Sequence, residues 1–252
     1  MTADRGALLK ASGVSARFGG LQALDTVDVE VQPGRITGLI GPNGAGKTTM
    51  FNVLTGLVAP VAGRVTLDGS DINGWAPHRR ARAGIARTFQ RLELFGRMTV
   101  EQNLLAAWES GHRGGGLGKG KRTCHRRVGE VVDLLGLGPL AQRFAGQLPT
   151  GQGRLVELGR ALCTDPRVLL LDEPGSGLDA GETERLCGIL EDLVATTDLA
   201  ILLVEHDMPL VMRVCDVITV LDFGKGIARG SPDEVRANPI VQSAYLGQAD
   251  VA

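Results

Sequence analysis

Leu39–Thr49 reads LIGPNGAGKTT and fits G-x-x-x-x-G-K-[ST], with Gly41, Gly46, Lys47 and Thr48 in the fixed places. A loop of this kind turns backbone N–H groups inward around a phosphate, and Gly41, Gly44 and Gly46 permit backbone angles that other residues resist. Lys47 can then reach the β- and γ-phosphates as a point charge, and the Thr48 hydroxyl can ligate Mg²⁺. The pattern counts only between a strand and a helix. Here the apolar run Ile36–Ile40 precedes it, and Thr48–Leu54 reads as a helix whose positive end faces the phosphates. A chance glycine-rich turn would lack that setting. The stretch predicts binding of a nucleoside triphosphate.

The 252 residues around it suit one large α/β domain with room for an inserted subdomain. A formal net charge of −1 argues against a DNA-coating protein, and an aromatic content of 4% argues against a base-stacking platform. Cys124, Cys163, Cys187 and Cys215 stand far apart with no C-x-x-C pair. They read as reduced thiols, several in the core, rather than as a metal site. No apolar run approaches the ~18 residues needed to span a bilayer, and MTADRG lacks the apolar core of a signal peptide. Any membrane connection is expected through a partner.

Along the chain, Leu8–Val14 and Val27–Val31 read as strands flanking ARFGGLQAL, in which Phe18 is either core or a platform for adenine. Gly63–Leu67 and Ile85–Phe89 are further strands, with a short basic helix at His78–Ala83 between them. Gln90, closing an apolar strand, is either a solvated loop residue or a contact to Mg²⁺ or the attacking water. Thr99–Trp108 is predicted helical, with Thr99 and Gln102 at capping-box spacing. SGHRGGGLGKGKR, residues 110–122, contains a second G-x-x-x-x-G-K, but Arg122 follows it and no strand precedes it. It is expected to be a flexible, solvated loop, with an amphipathic helix resuming over Arg126–Leu135. A helix running through Leu162 follows Leu148–Gln152.

Val168–Leu171 is a continuous apolar run, the pattern of a strand buried on both faces of a parallel sheet, and it ends in Asp172-Glu173. Two carboxylates there are costly without a cation. Asp172 fits the Mg²⁺ side and Glu173 a general base for water; the alternative is a pair of exposed acids. After the turn Ser176–Asp179, a helix is expected to about Ala195. Leu199–Val204 then closes on Glu205-His206, and His206 emerges on the edge where α/β sheets hold ligands. Val217–Leu221 adds a strand, and Pro232–Leu246 reads as short helices broken at Pro239.

GPNGAGKTT, the Gln90 loop, LPTGQ, VLLLDEP, SGLD and VEHD, in this order and spacing, resemble an ABC-transporter ATP-binding subunit over almost the whole chain. Within that family, ARFGGLQAL, ARTFQRLELFGRMTVEQNLL, EHDMPLVM and ANPIVQSAYLG are similar to subunits of branched-chain amino-acid importers. Urea and short-amide importers and some lipid exporters share much of that finer pattern. The resemblance implies an α/β P-loop NTPase fold. A RecA-like core of mainly parallel sheet with N-terminal antiparallel strands would occupy about 1–90 and 166–252, and an inserted α-helical subdomain about 91–165.

It also implies ATP and Mg²⁺, a head-to-tail homo- or heterodimer with a second ATP-binding subunit, and transmembrane permease subunits. A substrate-binding protein would act indirectly, nucleic acid would have no part, and the chain would sit on the cytoplasmic face of the membrane. Phe18 would stack on adenine. Gly41, Pro42, Asn43, Gly44, Ala45, Gly46, Lys47, Thr48 and Thr49 would hold the phosphates. Thr48, Gln90 and Asp172 would serve Mg²⁺, Glu173 would polarise water, and His206 would contact the γ-phosphate. Gly151, Gln152 and Asp179 would act across the interface at the partner's ATP.

The family normally has Ser where Pro149 stands and Gly where Thr150 stands, so the usual hydroxyl donor to the partner's phosphate is missing from its place. Thr150 either supplies that hydroxyl from one position later or caps the helix that follows. A soluble ABC ATPase acting on DNA or ribosomes usually carries two cassettes or a long coiled-coil insertion, and neither is visible. A P-loop kinase or GTPase fits poorly with SGLD and VEHD, and no Asn is followed by Lys, so the N-K-x-D guanine motif is absent.

Overall fold

The computed structural model describes residues 8–112 and 119–246. Strand β3 (Ile36–Ile40) feeds the glycine-rich loop, and helix α1 (Lys47–Thr55) leaves it. The other strands are β1 (Leu9–Phe18), β2 (Leu21–Val31), β4 (Ala62–Leu67), β5 (Ser70–Asp71), β6 (Ile85–Arg87), β7 (Val168–Asp172), β8 (Ala200–Val204), β9 (Val217–Asp222) and β10 (Lys225–Gly230). They form a four-stranded antiparallel sheet, β2-β1-β4-β5, and a six-stranded sheet, β10-β9-β3-β8-β7-β6. All neighbours in the second sheet are parallel except β10 with β9.

Every residue of β3, β7 and β8 is buried. A strand in a parallel sheet covered on both faces has no solvent side, so its apolar run is unbroken rather than alternating. The period-two geometry still sorts side chains between two cores. Leu169, Leu171, Ile201 and Leu203 pack on the helices, whereas Val168, Leu170, Ala200 and Leu202 pack toward α1 and the antiparallel sheet. Because β3, β7 and β8 run parallel, they bring the glycine-rich loop, Asp172-Glu173 and Glu205-His206 to one edge.

Between β6 and β7 lie helices α3 (Val100–Gly111), α4 (Lys119–Leu134) and α5 (Thr150–Leu162). Thr99 and Gln102 form the predicted capping box on α3. Gly159 lets the three helices close up, since a Cβ there would sit 2.8 Å from Leu104 and 3.0 Å from Leu135. Helices α2 (Pro77–Arg82), α6 (Ala180–Thr196), α7 (Met208–Val214), α8 (Pro232–Ala237) and α9 (Pro239–Leu246) complete the fold. Arg80 of α2 is fully buried, and among the described residues its hydrogen bonds all go to backbone carbonyls. Its guanidinium donates to the carbonyls of Val53 and Leu54 in the last turn of α1, and to those of Ile72, Asn73 and Trp75.

Two expectations change. The two N-terminal strands are present but longer than expected: β1 and β2 run through ARFGGLQAL and turn at Gly19-Gly20, with β-bulges absorbing the broken alternation. The 110–122 segment is not one loop, since Ser110 and Gly111 end α3 and Lys119–Arg122 begin α4; residues 113–118 lie outside the described ones. Cys124, Val128, Val131 and Leu135 give that region a buried face at helical spacing. Helix α7 and strand β10 had no reading, the first because it is one short element begun at Asp207, the second because KGIARG shows no alternation.

Candidate nucleotide site

Gly41 leaves β3 at φ 151, where a Cβ would strike the Leu221 carbonyl at 2.1 Å. Gly46, at φ 105, meets the Ala23 carbonyl in the same way, so two walls press on this loop. Gly44, at φ 81, has nothing within 4 Å of a built Cβ, and its side of the loop is open. Lys47 opens α1 with its side chain buried, and Nζ donates to the carbonyls of Gly41 (2.6 Å) and Pro42 (2.9 Å). Burial holds its pKa below the usual range, while Glu173 and Asp172 oppose that shift. A cation held this close to two acids, beside the first N–H groups of a helix, suits an anion with several charges.

At the end of β7 the two carboxylates part. Asp172 is buried and pairs with Arg87, Oδ2 lying 2.7 Å from a guanidinium nitrogen. Glu173 sits at φ 50, a left-handed conformation that non-glycine residues seldom adopt, and its N–H is held by the Val204 carbonyl at 2.9 Å. That turn aims its side chain sideways. Oε1 lies 2.9 Å from His206 Nε2, and Oε2 accepts a 2.9 Å bond from the Gln90 amide. Gln90 is exposed, yet its amide is engaged rather than merely solvated. The three side chains come from three strand ends at one sheet edge. Glu205 supports them from behind: it accepts from the N–H groups of Gly175 and His206, and burial raises its pKa.

Thr150, Gly151, Gln152 and Asp179 form a separate cluster. Pro149 occupies the cap position of α5 with no side-chain bond, and Thr150 is the first helical residue and exposed. Thr150 therefore does not cap this helix. Asp179 caps α6 in a box with Glu182, whose carboxylate lies 2.2 Å from where a Gly151 Cβ would be. The Thr150 methyl faces Gly177, and Gln152 Oε1 is buried with no partner among the described residues. Phe18 closes β1 at the β1–β2 turn, half exposed, and β2 beyond that turn brings Ala23 and Leu24 against Gly46 of the phosphate loop.

Sequence reasoning missed the residues that hold the Gln90 segment. Arg154 and Glu157 of α5 are both buried and 3.1 Å apart. Arg154 donates to the Phe89 (3.0 Å) and Gln90 (2.6 Å) carbonyls, and Glu157 accepts from the Phe89 N–H at 3.3 Å. Burial raises the Glu157 pKa despite those bonds. The available signal was an Arg/Glu pair three apart, Arg154 and Glu157, with apolar Leu155, Val156 and Leu158 around it on α5. Arg87 offered none, since its partners Asn52 and Asp172 lie 35 and 85 residues away.

Fold and phosphate loop together define a P-loop nucleotide hydrolase. The ABC transporter family matches residues 24–176, and a family described as branched-chain amino acid ATP-binding cassette transporter matches residues 227–251. The high-affinity branched-chain amino acid transport ATP-binding protein BraF of Pseudomonas aeruginosa is 41% identical over 96% of this chain and 98% of its own. LivG of Escherichia coli K12, of the same description, is 42% identical over the same shares. Among solved structures, the ADP conformation of MJ1267, an ATP-binding cassette of an ABC transporter, superposes with TM-score 0.85 at 32% identity, covering 96% of this chain and 99% of that one. The dimeric bacterial cassette MJ0796 superposes with TM-score 0.78 at 25% identity, covering 89% and 98%. The chain belongs to the ABC transporter family. It is an ATP-binding, ATP-hydrolysing subunit.

Proposed function

We propose that this subunit powers import of branched-chain or other hydrophobic amino acids, acting at the cytoplasmic face of a membrane through permease partners. The observation that carries this is the full-length similarity to BraF and LivG, which extends into the branched-chain tail. No helix among the described residues is long and apolar enough to cross a membrane. A groove of about 630 Å³ between the core and helices α3 and α5, lined by Leu57, Arg82, Phe89, Glu93 and Phe95, suits a permease segment. It borders the Gln90 segment, so pressure there reaches the nucleotide site.

In this reading Gly41–Thr49 wrap the phosphates, Lys47 neutralises them, and Phe18 stacks on adenine. Thr48, Gln90 and Asp172 would hold Mg²⁺. They offer a hydroxyl, an amide and a carboxylate, oxygen donors that suit a hard cation sharing its shell with phosphates and water. Bound there, Mg²⁺ would supply neutralisation of the phosphate charge. Glu173, aimed by its backbone and held by Gln90 and His206, takes the proton of the attacking water, and His206 contacts the γ-phosphate. Thr150, Gly151, Gln152 and Asp179 meet the ATP of a second subunit. ATP favours the closed pair, hydrolysis reopens it, and segment 91–165 carries the motion to the permease. Reconstituting the chain with its co-purified permease and measuring ATP-driven uptake of labelled leucine tests this. Uptake of urea or lipid movement in its place would refute the substrate assignment.

A further inference from the structure

The buried pair Arg87–Asp172 has a use that none of the roles above assigns. Asp172 is 5% exposed, and a carboxylate removed from water is costly unless a cation attends it. The attending cation is Arg87, with side chains 8% and 7% exposed across a 2.7 Å contact. Its guanidinium is fixed on several sides. One nitrogen donates to Asn52 Oδ1 at 2.6 Å, on the helix that carries Thr48. The Phe51 and Phe89 rings lie 5.3 and 5.2 Å from its centre, within cation–π range. Next along the chain, the Thr88 hydroxyl accepts from the Asp172 N–H at 3.2 Å, and the Thr88 N–H reaches the Leu170 carbonyl at 2.9 Å. Two residues further on, Gln90 reaches Glu173. One short segment thus grips the end of β7 and also carries the positive charge that faces its buried acid.

We propose that Arg87 is the resident counter-ion of Asp172, balancing that buried carboxylate and holding it in place between rounds of Mg²⁺–nucleotide binding. The inference rests on the reading of Asp172 as a metal-side carboxylate. Arg87 takes Oδ2, so the carboxylate is aligned before the metal arrives. When Mg²⁺ binds, the same carboxylate answers to two cations. Removing Arg87 strands the charge in the metal-free protein and leaves it to be compensated only when metal is present.

Arg87→Met tests this, since Met keeps an apolar side chain against both rings while removing the charge and its bonds to Asp172 and Asn52. Melting is measured in EDTA, with AMPPNP plus EDTA, and with AMPPNP plus Mg²⁺. In EDTA, Arg87→Met should melt about 10 °C below wild type, and adding Asp172→Asn should recover most of that loss. The gain from adding Mg²⁺ to the AMPPNP complex should exceed the wild-type gain by about 5 °C. Wild-type melting of Arg87→Met in EDTA, or a loss that Asp172→Asn fails to recover, would overturn the counter-ion role and leave Arg87 a packing residue. A Mg²⁺ gain that persists undiminished in Asp172→Asn would instead overturn the metal-side reading of Asp172, on which the inference stands.

Discussion

The cluster around the phosphate loop and the cluster around Thr150 differ in how far their polar groups are spoken for. In the first, Lys47 is bonded to two loop carbonyls, Asp172 to Arg87, and Glu173 to Gln90 and His206. In the second, Thr150 is exposed, the helix start behind it has no side-chain cap, and Gln152 Oε1 is buried without a partner among the described residues. A half-site whose charged groups already hold one another, with Arg87 Nε alone among them lacking a partner among the described residues, is pre-organised for a ligand that comes and goes. One that leaves donors and acceptors unspent is shaped for a surface from outside. That contrast accords with a cassette that works in pairs, as the dimeric MJ0796 cassette is paired.

The largest effect that separates the two clusters is expected from Glu173→Gln. Loss of a general base lowers turnover by about 10²–10⁴ while MgATP binding is retained. The variant should accumulate as an ATP-bound dimer on gel filtration, and near-wild-type turnover would remove Glu173 from the role. Arg154→Ala breaks the link that ties α5 to the Gln90 segment and strands Glu157. A stability loss of about 3–5 kcal/mol is expected from thermal or urea melting at neutral pH. Because burial holds the Glu157 pKa above its unfolded value, the stranded carboxyl is costly above that raised pKa and takes up a proton below it. The deficit should therefore shrink as pH falls; a pH-independent deficit would assign the effect to lost packing.

Lys47→Ala confines the damage to the first cluster. Binding of a fluorescent ATP analogue to the monomer should weaken by about a hundredfold, from the loss of charge-assisted bonds to the phosphates. Unchanged affinity would mean that the loop does not hold them. Thr150→Ala should do the reverse, leaving monomer affinity and melting temperature alone. With no cap to lose, its effect falls on ATP-driven dimerisation, weakened by about 1.5–3 kcal/mol and restored by Thr150→Ser. Equal dimerisation of all three by sedimentation would deny Thr150 a part in the partner's site.

Elements whose physics is local were legible. Ile36–Ile40, Val168–Leu171 and Leu199–Val204 declare themselves because a strand buried on both faces must be apolar throughout, and they bring their terminal residues to one edge. Gln90, Glu173 and His206 could be placed near each other for that reason, although their mutual hydrogen bonds could not. Arg87, Arg154, Glu157 and Asn52 stayed hidden, because a buried ion pair is made by segments that meet only after folding. Both strands of the β1–β2 hairpin were legible but not their full length, because bulges break the alternation, and α7 was hidden by its brevity.

All four cysteines are buried, and burial pushes the thiols of Cys163 and Cys215 up to about 12. An alkylating dye at neutral pH thus finds no ready thiolate in the folded chain. Ser176, exposed in the turn before Asp179, could be replaced by cysteine to give one addressable thiol on the surface where a second copy would approach. The natural sequence is in this sense already a clean background for spectroscopic labelling, and distances between two such labels would follow the opening and closing of the pair turn by turn.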